Sequence, residues 1–373
     1  MKNISIFHNC YGCGTCAIIC PIKIIEIKEY GGFYHPKVVN PSKCIECGLC
    51  LAVCSYNQKN VTKPSEAINI KAYSAWSENN ETRQKCSSGG VGYEIGRYLI
   101  NNGYKACAVR YNKGNSIAEH YIASNECEYR ESIGSKYIPS FTYLGFSNIN
   151  RKDKFLISGT PCQIDSIRRY IQKKHIEDNF VLLDFFCHGV PSMKMWRKYL
   201  KTLPDINEND SIVWRDKRNG WHDSWAISIK CEQGQSTKYK YYSSKSGGDI
   251  FYQMFLGHHC FAKACYEDCK YKQLASAADI RIGDLWGDKY KDDKSGVSGV
   301  IVFTSKGEKI INQINMHCEH EIPQTILAGQ MLQCASKPIS YYWCKLALAT
   351  PLNLKIIAYI AKGLAFLERK IKL

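Results

Sequence analysis

The chain lacks what a membrane-spanning or secreted protein needs. No stretch of its 373 residues approaches the ~18 consecutive apolar positions of a membrane span. The opening Met1-Lys2-Asn3-Ile4-Ser5-Ile6-Phe7 is too poor in apolar residues for a secretory signal, so a cytoplasmic location is expected. A Walker A loop is missing, and no GxGxxG follows a strand-like segment, which leaves both a P-loop and a Rossmann dinucleotide fold unsupported. Zinc-finger, RNA-recognition and basic-zipper patterns are missing too, and Lys and Arg are spread along the chain rather than gathered in one arm. No nucleic acid is therefore expected to bind. The formal charge of +16 is better matched to a phosphorylated cofactor or an acidic ferredoxin.

What the chain has in abundance is cysteine, 20 of them. In a long chain without an export signal, closely spaced cysteines indicate metal ligation rather than disulfides. Cys10, Cys13, Cys16 and Cys20, followed by Pro21, reproduce the run CxxCxxCxxxCP of bacterial ferredoxins. Cys44, Cys47, Cys50 and Cys54 repeat the spacing, with Ser55 where proline usually stands. Three thiolates spaced by three residues wrap one face of a 4Fe-4S cubane, and the remote fourth of each run ligates the other cluster. Cluster one is thus expected on Cys10, Cys13, Cys16 and Cys54, and cluster two on Cys44, Cys47, Cys50 and Cys20. Zinc would use paired CxxC knuckles, which a doubled four-cysteine run does not resemble. Gly12, Gly14, Thr15 and Gly48 are small enough to let backbone amides approach the sulfurs. Between the runs, residues 22–27 and 33–39 flank Gly31-Gly32 as a β-hairpin.

A polar stretch at 60–66 containing Pro64 closes this module. Beyond it, short apolar strands at 106–111, 155–158, 180–186, 211–215, 225–230, 279–283 and 300–304 alternate with amphipathic helices at 91–101, 163–173, 193–203 and 307–317, a mixed α/β pattern. Ser87-Ser88-Gly89-Gly90 sits directly before the helix at 91, where amides, hydroxyls and the helix dipole would hold a phosphate; the other reading is an ordinary Ser/Gly helix cap. Gly159-Thr160-Pro161-Cys162-Gln163 places Cys162 at a helix N-terminus, a position that favours a thiolate. The next strand ends in Phe186-Cys187-His188, and consecutive strand ends of one direction share a sheet edge, so Cys162 and Cys187 can face each other. Cys265 and Cys269 are the pair best spaced to complete a four-thiolate site. Each of these is, taken alone, equally readable as a buried neutral cysteine.

Seven ordered motifs resemble the beta subunit of coenzyme F-420 hydrogenases and dehydrogenases: Ser87 to Gly90, Gly134-Ser135-Lys136-Tyr137, Gly159 to Gln163, Cys187 to Ser192, Arg215-Asp216-Lys217 with Gly220-Trp221, Cys265 through Lys272, and Asp279 through Gly287. The likeness spans roughly residues 70 to 335. The chain is also similar to relatives with a two-cluster ferredoxin in front, among them plant hydroxymethyl chlorophyll reductases and bacterial proteins associated with surface-polysaccharide genes. The resemblance implies an FAD bound without a Rossmann fold, contacted by Ser87, Ser88, Gly89, Gly90, Ser135, Lys136, Tyr137 and Thr160, with Lys136 neutralising a phosphate or the reduced ring. It implies a third 4Fe-4S cluster on Cys162, Cys187, Cys265 and Cys269. The last two are separated by three residues where two is usual, which makes Cys260 the reserve ligand. His188, as a proton relay or a hydrogen-bond partner of the cluster, and Asp284, beside Asp279, are the catalytic candidates.

The expected architecture is an α+β ferredoxin-like module at 1–62, a mixed α/β, non-Rossmann flavin-binding domain at 68–340, and a basic amphipathic C-terminal helix at 341–373. The expected function is an iron–sulfur flavoprotein oxidoreductase that converts one-electron deliveries into two-electron reduction or oxidation of a deazaflavin-like or other small substrate. The alternative is a non-catalytic electron-transfer subunit serving a partner enzyme. A ferredoxin or other redox protein is the expected partner; the basic pairs Arg168-Arg169 and Lys173-Lys174 read as solvated helix faces, on which an acidic ferredoxin could dock. The tail, with Lys355, Lys362, Arg369, Lys370 and Lys372 among Ile, Leu and Phe, suits a peripheral membrane contact, packing on the domain, or a partner chain.

Overall fold

The computed structural model describes residues 3–6, 9–233 and 236–371; Lys372 lies outside them. In the N-terminal module two short helices, Thr15–Ile19 and Leu49–Ala52, lie within the two cysteine runs, each carrying the third cysteine and entered through a left-handed glycine, Gly14 or Gly48. Between them β1 (Ile25–Tyr30) and β2 (Phe33–Val38) form the antiparallel hairpin around Gly31-Gly32. Ile4, Ile19, Ile24, Ile25 and Val53 pack with the cysteines into a small core.

The remainder is built on a nine-stranded mixed sheet. Its strands are β3 (Ala67–Trp76), β4 (Tyr104–Asn112), β5 (Ile117–Ala123), β6 (Ser140–Phe141), β7 (Lys154–Ser158), β8 (Phe180–Phe185), β12 (Ile280–Asp284), β13 (Ser298–Thr304) and β14 (His317–Glu321). Their spatial order is β14-β3-β13-β12-β8-β7-β4-β5-β6. The centre, β12-β8-β7-β4, is parallel. Period-two alternation divides the two faces. Leu156, Val181, Leu183 and Ile280 meet the helix Val91–Asn101 through Val91, Ile95 and Leu99. Phe155, Ile157, Phe180 and Leu182 meet the helix Pro161–Lys174 through Ile164, Ile167 and Ile171. The second helix is well specified: proline opens it, Thr160 and Gln163 close a capping box, and His175 ends it in the left-handed region. Arg168, on this helix, was expected on a solvated face; it is buried and donates to Ala277 O and Asp279, because it lies on the side turned toward the sheet.

A separate antiparallel sheet of β9 (Asp210–Val213), β10 (Ala226–Gln233) and β11 (Ser236–Ser244) covers an aromatic core containing Trp196, Trp214, Phe251, Phe255 and Phe261. The C-terminal helices Ser340–Ala347 and Leu354–Ile371 pack on that same core through Cys344, Ala347, Leu354, Ile357, Ala358 and Ala361. Burying Leu354 and Ile357 stabilises this docking by about 1.5–3 kcal/mol each. The helix expected to reach 317 stops at Gln313, since residues 317–321 pair with β3 as an added strand. Likewise the helix from Met193 ends at Leu200 rather than 203. Among the described residues, no helix is long and apolar enough to cross a membrane.

Candidate functional site

Two clefts in the module are lined by crossed sets of cysteines. One holds Cys10, Cys13, Cys16 and Cys54, the other Cys20, Cys44, Cys47 and Cys50, which are the two expected ligand sets. Gly12 N–H donates to Cys10 Sγ at 3.3 Å, and Asn3 Nδ2 to Cys44 Sγ at 3.4 Å. Burial, reinforced by neighbouring sulfurs, pushes the Cys10 thiol up to about 12 and that of Cys54 up to about 11. Thiolates packed this closely away from water are stable only against a compensating positive charge, which iron supplies. Among the described residues, no three His, Cys, Asp or Glu side chains converge on one metal-ion position. A cubane asks for that wider layout, since each thiolate takes a different iron corner.

A third group lies at the carboxyl edge of the parallel strands. Cys162 sits in the first turn of the helix after β7, Cys187 just past β8, Cys265 in the short helix Lys263–Glu267, and Cys269 immediately beyond it. They are near enough to raise one another's pKa: Cys162 feels Cys187 and Cys265, and Cys187 and Cys265 feel Cys269. Burial pushes the Cys162 thiol well above the ordinary value, against the pull of the helix N-terminus toward a thiolate. Lys272 Nζ donates to Cys187 O at 2.7 Å, bringing a cation to this group. Cys260, the reserve candidate, is elsewhere: its Sγ lies 3.1 Å from Met195 Sδ in the aromatic core, near Cys344. Despite the CxxxC spacing, Cys269, past the end of the helix, stays near enough to Cys265 to raise its pKa. Exposed Cys334, which the sequence reading passed over, stands next to Cys269 with its Sγ 2.8 Å from Cys269 O.

The module is docked onto this group by polar contacts. Ser55 Oγ donates to Cys162 O at 3.0 Å, Ser166 Oγ lies 2.7 Å from Ser55 Oγ, and Cys13 Sγ is 3.0 Å from Ser166 Oγ. The serine in place of the usual proline thus belongs to a buried bridge between cluster one and the third group. Tyr11 adds a second link: its hydroxyl donates to Asp268 O, and its ring packs on Tyr56 and Tyr271.

One cavity of about 400 Å³ adjoins both cluster regions. Its walls include Ser87, Ser88, Gly90, Ser135, Lys136, Tyr137, Thr160, His188 and Asp284, together with Cys10 and Cys187. Gly89 is not on the wall, because it faces the sheet, where a Cβ would lie 2.6 Å from Ala75 O. Asp279 is likewise removed, spent on Arg168 and Leu182 N–H inside the sheet. Gly90 caps the helix Val91–Asn101 at φ 87 with no side-chain cap bond. The ordinary Ser cap is therefore not formed; Tyr93 N–H bonds back to Gly90 O at 3.0 Å, and the Val91 and Gly92 amides remain for an anion. Ser88 is committed, its hydroxyl donating to Val297 O at 2.7 Å, while Ser87 Oγ accepts from Ser135 N–H at 2.8 Å and ties the two candidate segments together.

Three basic side chains, the half-buried Lys136 and Lys217 and the buried Arg215, surround this end. Lys136 Nζ donates to Ser132 O at 2.8 Å, Ile133 O at 3.1 Å and Glu131 O at 3.3 Å; burial brings its pKa down to about 7, although each of these carbonyls favours the protonated form. Its ammonium caps a turn, so what it offers the cavity is potential rather than a free donor. Lys217 has the same design, bonded to Arg83 O at 2.7 Å and Ser88 O at 2.8 Å and also to Ser295 O. Arg215 donates to Asp284 Oδ2 at 2.8 Å and Tyr137 at 3.2 Å, with its guanidinium 4.6 Å from the Trp225 ring. The sequence motifs contained Arg215, Lys217, Lys272 and Trp286 without assigning them roles; Trp225 carried no signal at all. His188 also lies at the cavity, where burial, with His258 and Lys272 nearby, brings its pKa down to about 4.

Residues 152–325 match the family described as the C terminus of the coenzyme F420 hydrogenase/dehydrogenase beta subunit, and residues 9–58 match the 4Fe-4S dicluster domain. The chain is 21% identical over 348 residues to the F subunit of the F(420)H(2) dehydrogenase of Methanosarcina mazei, covering 88% of this chain and 89% of that protein. It is 27% identical over 163 residues to the coenzyme F420-dependent sulfite reductase of Methanocaldococcus jannaschii, covering 43% of this chain and 25% of that one. A chain of the solved F420-reducing NiFe hydrogenase complex from Methanosarcina barkeri aligns with a TM-score of 0.46 at 14% identity, over 83% of this chain and 94% of that one. The two sequence relatives are redox proteins by name, and the dicluster match makes this chain an iron–sulfur protein.

Proposed function

We propose, for a chain whose residues 9–58 are a 4Fe-4S dicluster domain and whose residues 152–325 belong to the family of coenzyme F420 hydrogenase/dehydrogenase beta subunits, that it is an iron–sulfur flavoprotein oxidoreductase. Three 4Fe-4S clusters would lead to an FAD held in the large cavity. The observation that carries this reading is a shared wall: the cavity that contains the Ser87–Gly90 turn is also lined by Cys10 of cluster one and Cys187 of the third group. The residues fit the cofactor. An uncapped helix start with Gly90 in the left-handed region receives a pyrophosphate, and Lys136, Lys217 and Arg215 supply positive potential to it.

FAD, when bound, exchanges one or two electrons and so joins cluster chemistry to two-electron chemistry. The chain's own residues do the rest. Asp284 holds the Arg215 guanidinium over Trp225, fixing a planar cation beside the cavity. His188, held in its neutral form by burial and nearby basic groups, is suited to hydrogen-bond at its edge of the site rather than to hold a proton. A small substrate, deazaflavin-like or other, would enter where the half-exposed Phe185 and His188 leave the carboxyl edge of β8 open. A second reading has one observation in its favour: the relative matched along most of its length is named as one subunit of a dehydrogenase, and this chain could pass electrons to a partner enzyme. Anaerobic purification with iron, sulfide and flavin quantified, followed by a screen of two-electron acceptors, separates the two. The oxidoreductase reading requires bound flavin and turnover; protein that binds clusters but never flavin would leave the electron-transfer role.

A further inference from the structure

The last helix is apolar on two opposite sides. Leu354, Ile357, Ala358 and Ala361 are buried on the inner side. At about 3.6 residues per turn, Ile356, Tyr359, Phe366 and Leu367 fall on the outer side, where Tyr359 is 81% exposed and Leu367 56%. The preceding helix, packed on the same core, likewise turns Tyr342 and Leu346 outward, at 62% and 70% exposed. A surface helix bathed in water carries polar residues on such a face.

The charge around this face has one sign. Lys355, Lys362 and Arg369 recur every seven residues and so form a line along one border. Lys370 lies within the face, its ammonium 5.7 Å from the Phe366 ring. The only acid of the helix, Glu368, accepts from Ile339 N–H at 2.9 Å, on the side toward the neighbouring helix. Protein interfaces deplete lysine while favouring aromatics and arginine; an apolar stripe with aromatics and a lysine border is the pattern that enters a lipid headgroup layer.

We propose that these two C-terminal helices seat the protein on an anionic lipid surface, the outer face of Leu354–Ile371 lying in the headgroup layer without crossing the bilayer. The redox cofactors would then work next to a membrane, on an attachment independent of their identity.

Sedimentation of the full chain, prepared anaerobically with its clusters, tests this against vesicles of phosphatidylcholine alone and vesicles that also contain phosphatidylglycerol. Retention is expected on the anionic vesicles, weakening as salt is raised, with little on the neutral ones. Phe366→Glu combined with Leu367→Glu should lower retention at least tenfold, and Lys355→Gln or Lys362→Gln about fivefold each, with iron content unchanged. All four positions are exposed, so folding is not at stake. The proposal is overturned if the parent protein stays in solution with anionic vesicles, if neutral vesicles retain it equally, or if the variants bind like the parent. It is also overturned if the glutamate variant only breaks a protein–protein contact.

Discussion

The module clefts and the interior cavity are built by opposite means. In the module, eight cysteines within 45 residues carry two sites, and the only long-range step is the exchange of the fourth cysteine between runs. The interior site draws on segments from Cys10 to Met331 and is closed by the sheet itself. Local spacing can encode a cluster site because three ligands belong to one loop; a cavity at a sheet edge exists only once the strands have been ordered. The two should therefore fail differently.

The largest effect expected is at the third cysteine group. With all sites filled, anaerobic protein should carry about twelve iron atoms per chain. Cys162→Ala or Cys187→Ala should each remove about four, while the electron paramagnetic resonance signals of the module clusters persist. Full iron content in both variants would eliminate the interior ligand set and leave the module as the only cluster-bearing region.

Next in size is the flavin. Gly90→Ala forces a Cβ into the left-handed region, costing about 1–2 kcal/mol of stability, and should weaken flavin binding at least tenfold by turning the helix start away from the cavity. Gly89→Val should be worse for folding than for binding, since its Cβ meets Ala75 O and Ser298 N rather than the cavity. In Gly90→Ala, dithionite should still bleach the module clusters while two-electron turnover falls. Flavin retained at parental affinity would show that the Ser87–Gly90 turn is no cradle.

The same contrast explains what could be read from the sequence. The cysteine runs, the hairpin at Gly31-Gly32 and the central strands at 155–158 and 180–186 were legible because each is a local pattern of spacing or apolar runs. The strands β3, β5, β11 and β14 were not: β11 and β14 are edge strands with too little apolar periodicity, the first half of β3 is largely exposed, and the buried β5 has its apolar run interrupted by Glu119 and His120. Of the cavity's segments, Ser87–Gly90 was legible as a phosphate turn before a helix, whereas Gly134–Tyr137 was found only by resemblance to a family. Its Arg215–Asp284 pair joins positions 69 apart and leaves no local trace. Cys260 shows the limit most plainly. Five residues from Cys265, it points into a different core, which spacing alone does not reveal. Cys260→Ala should therefore leave iron content unchanged and lower stability by about 1–2 kcal/mol through lost packing beside Met195; a missing cluster in that variant would restore it as a ligand.

The smallest effect expected lies where the two regions meet. Ser166 has one hydroxyl proton and two neighbours that could take it, Ser55 Oγ at 2.7 Å and Cys13 Sγ at 3.0 Å. Ser55 gives its own proton to Cys162 O. When Cys13 ligates iron its sulfur has no proton and becomes an acceptor, so Ser166 should donate to it. A hydrogen bond to a cluster sulfur favours the reduced, more negative state. Removing one worth roughly 0.5–1 kcal/mol corresponds to roughly 20–40 mV for a one-electron couple. Ser166→Ala should lower the midpoint potential of cluster one by that amount, read by redox titration of its paramagnetic signal, with cluster two unmoved because its sulfurs lie in the other cleft. Ser55→Ala breaks the bond to Cys162 O and leaves Ser166 free to turn fully to Cys13, so its shift on cluster one should be smaller or opposite in sign. Equal downward shifts in both clusters, or none in Ser166→Ala, would mean that the serine bridge only holds the module in place.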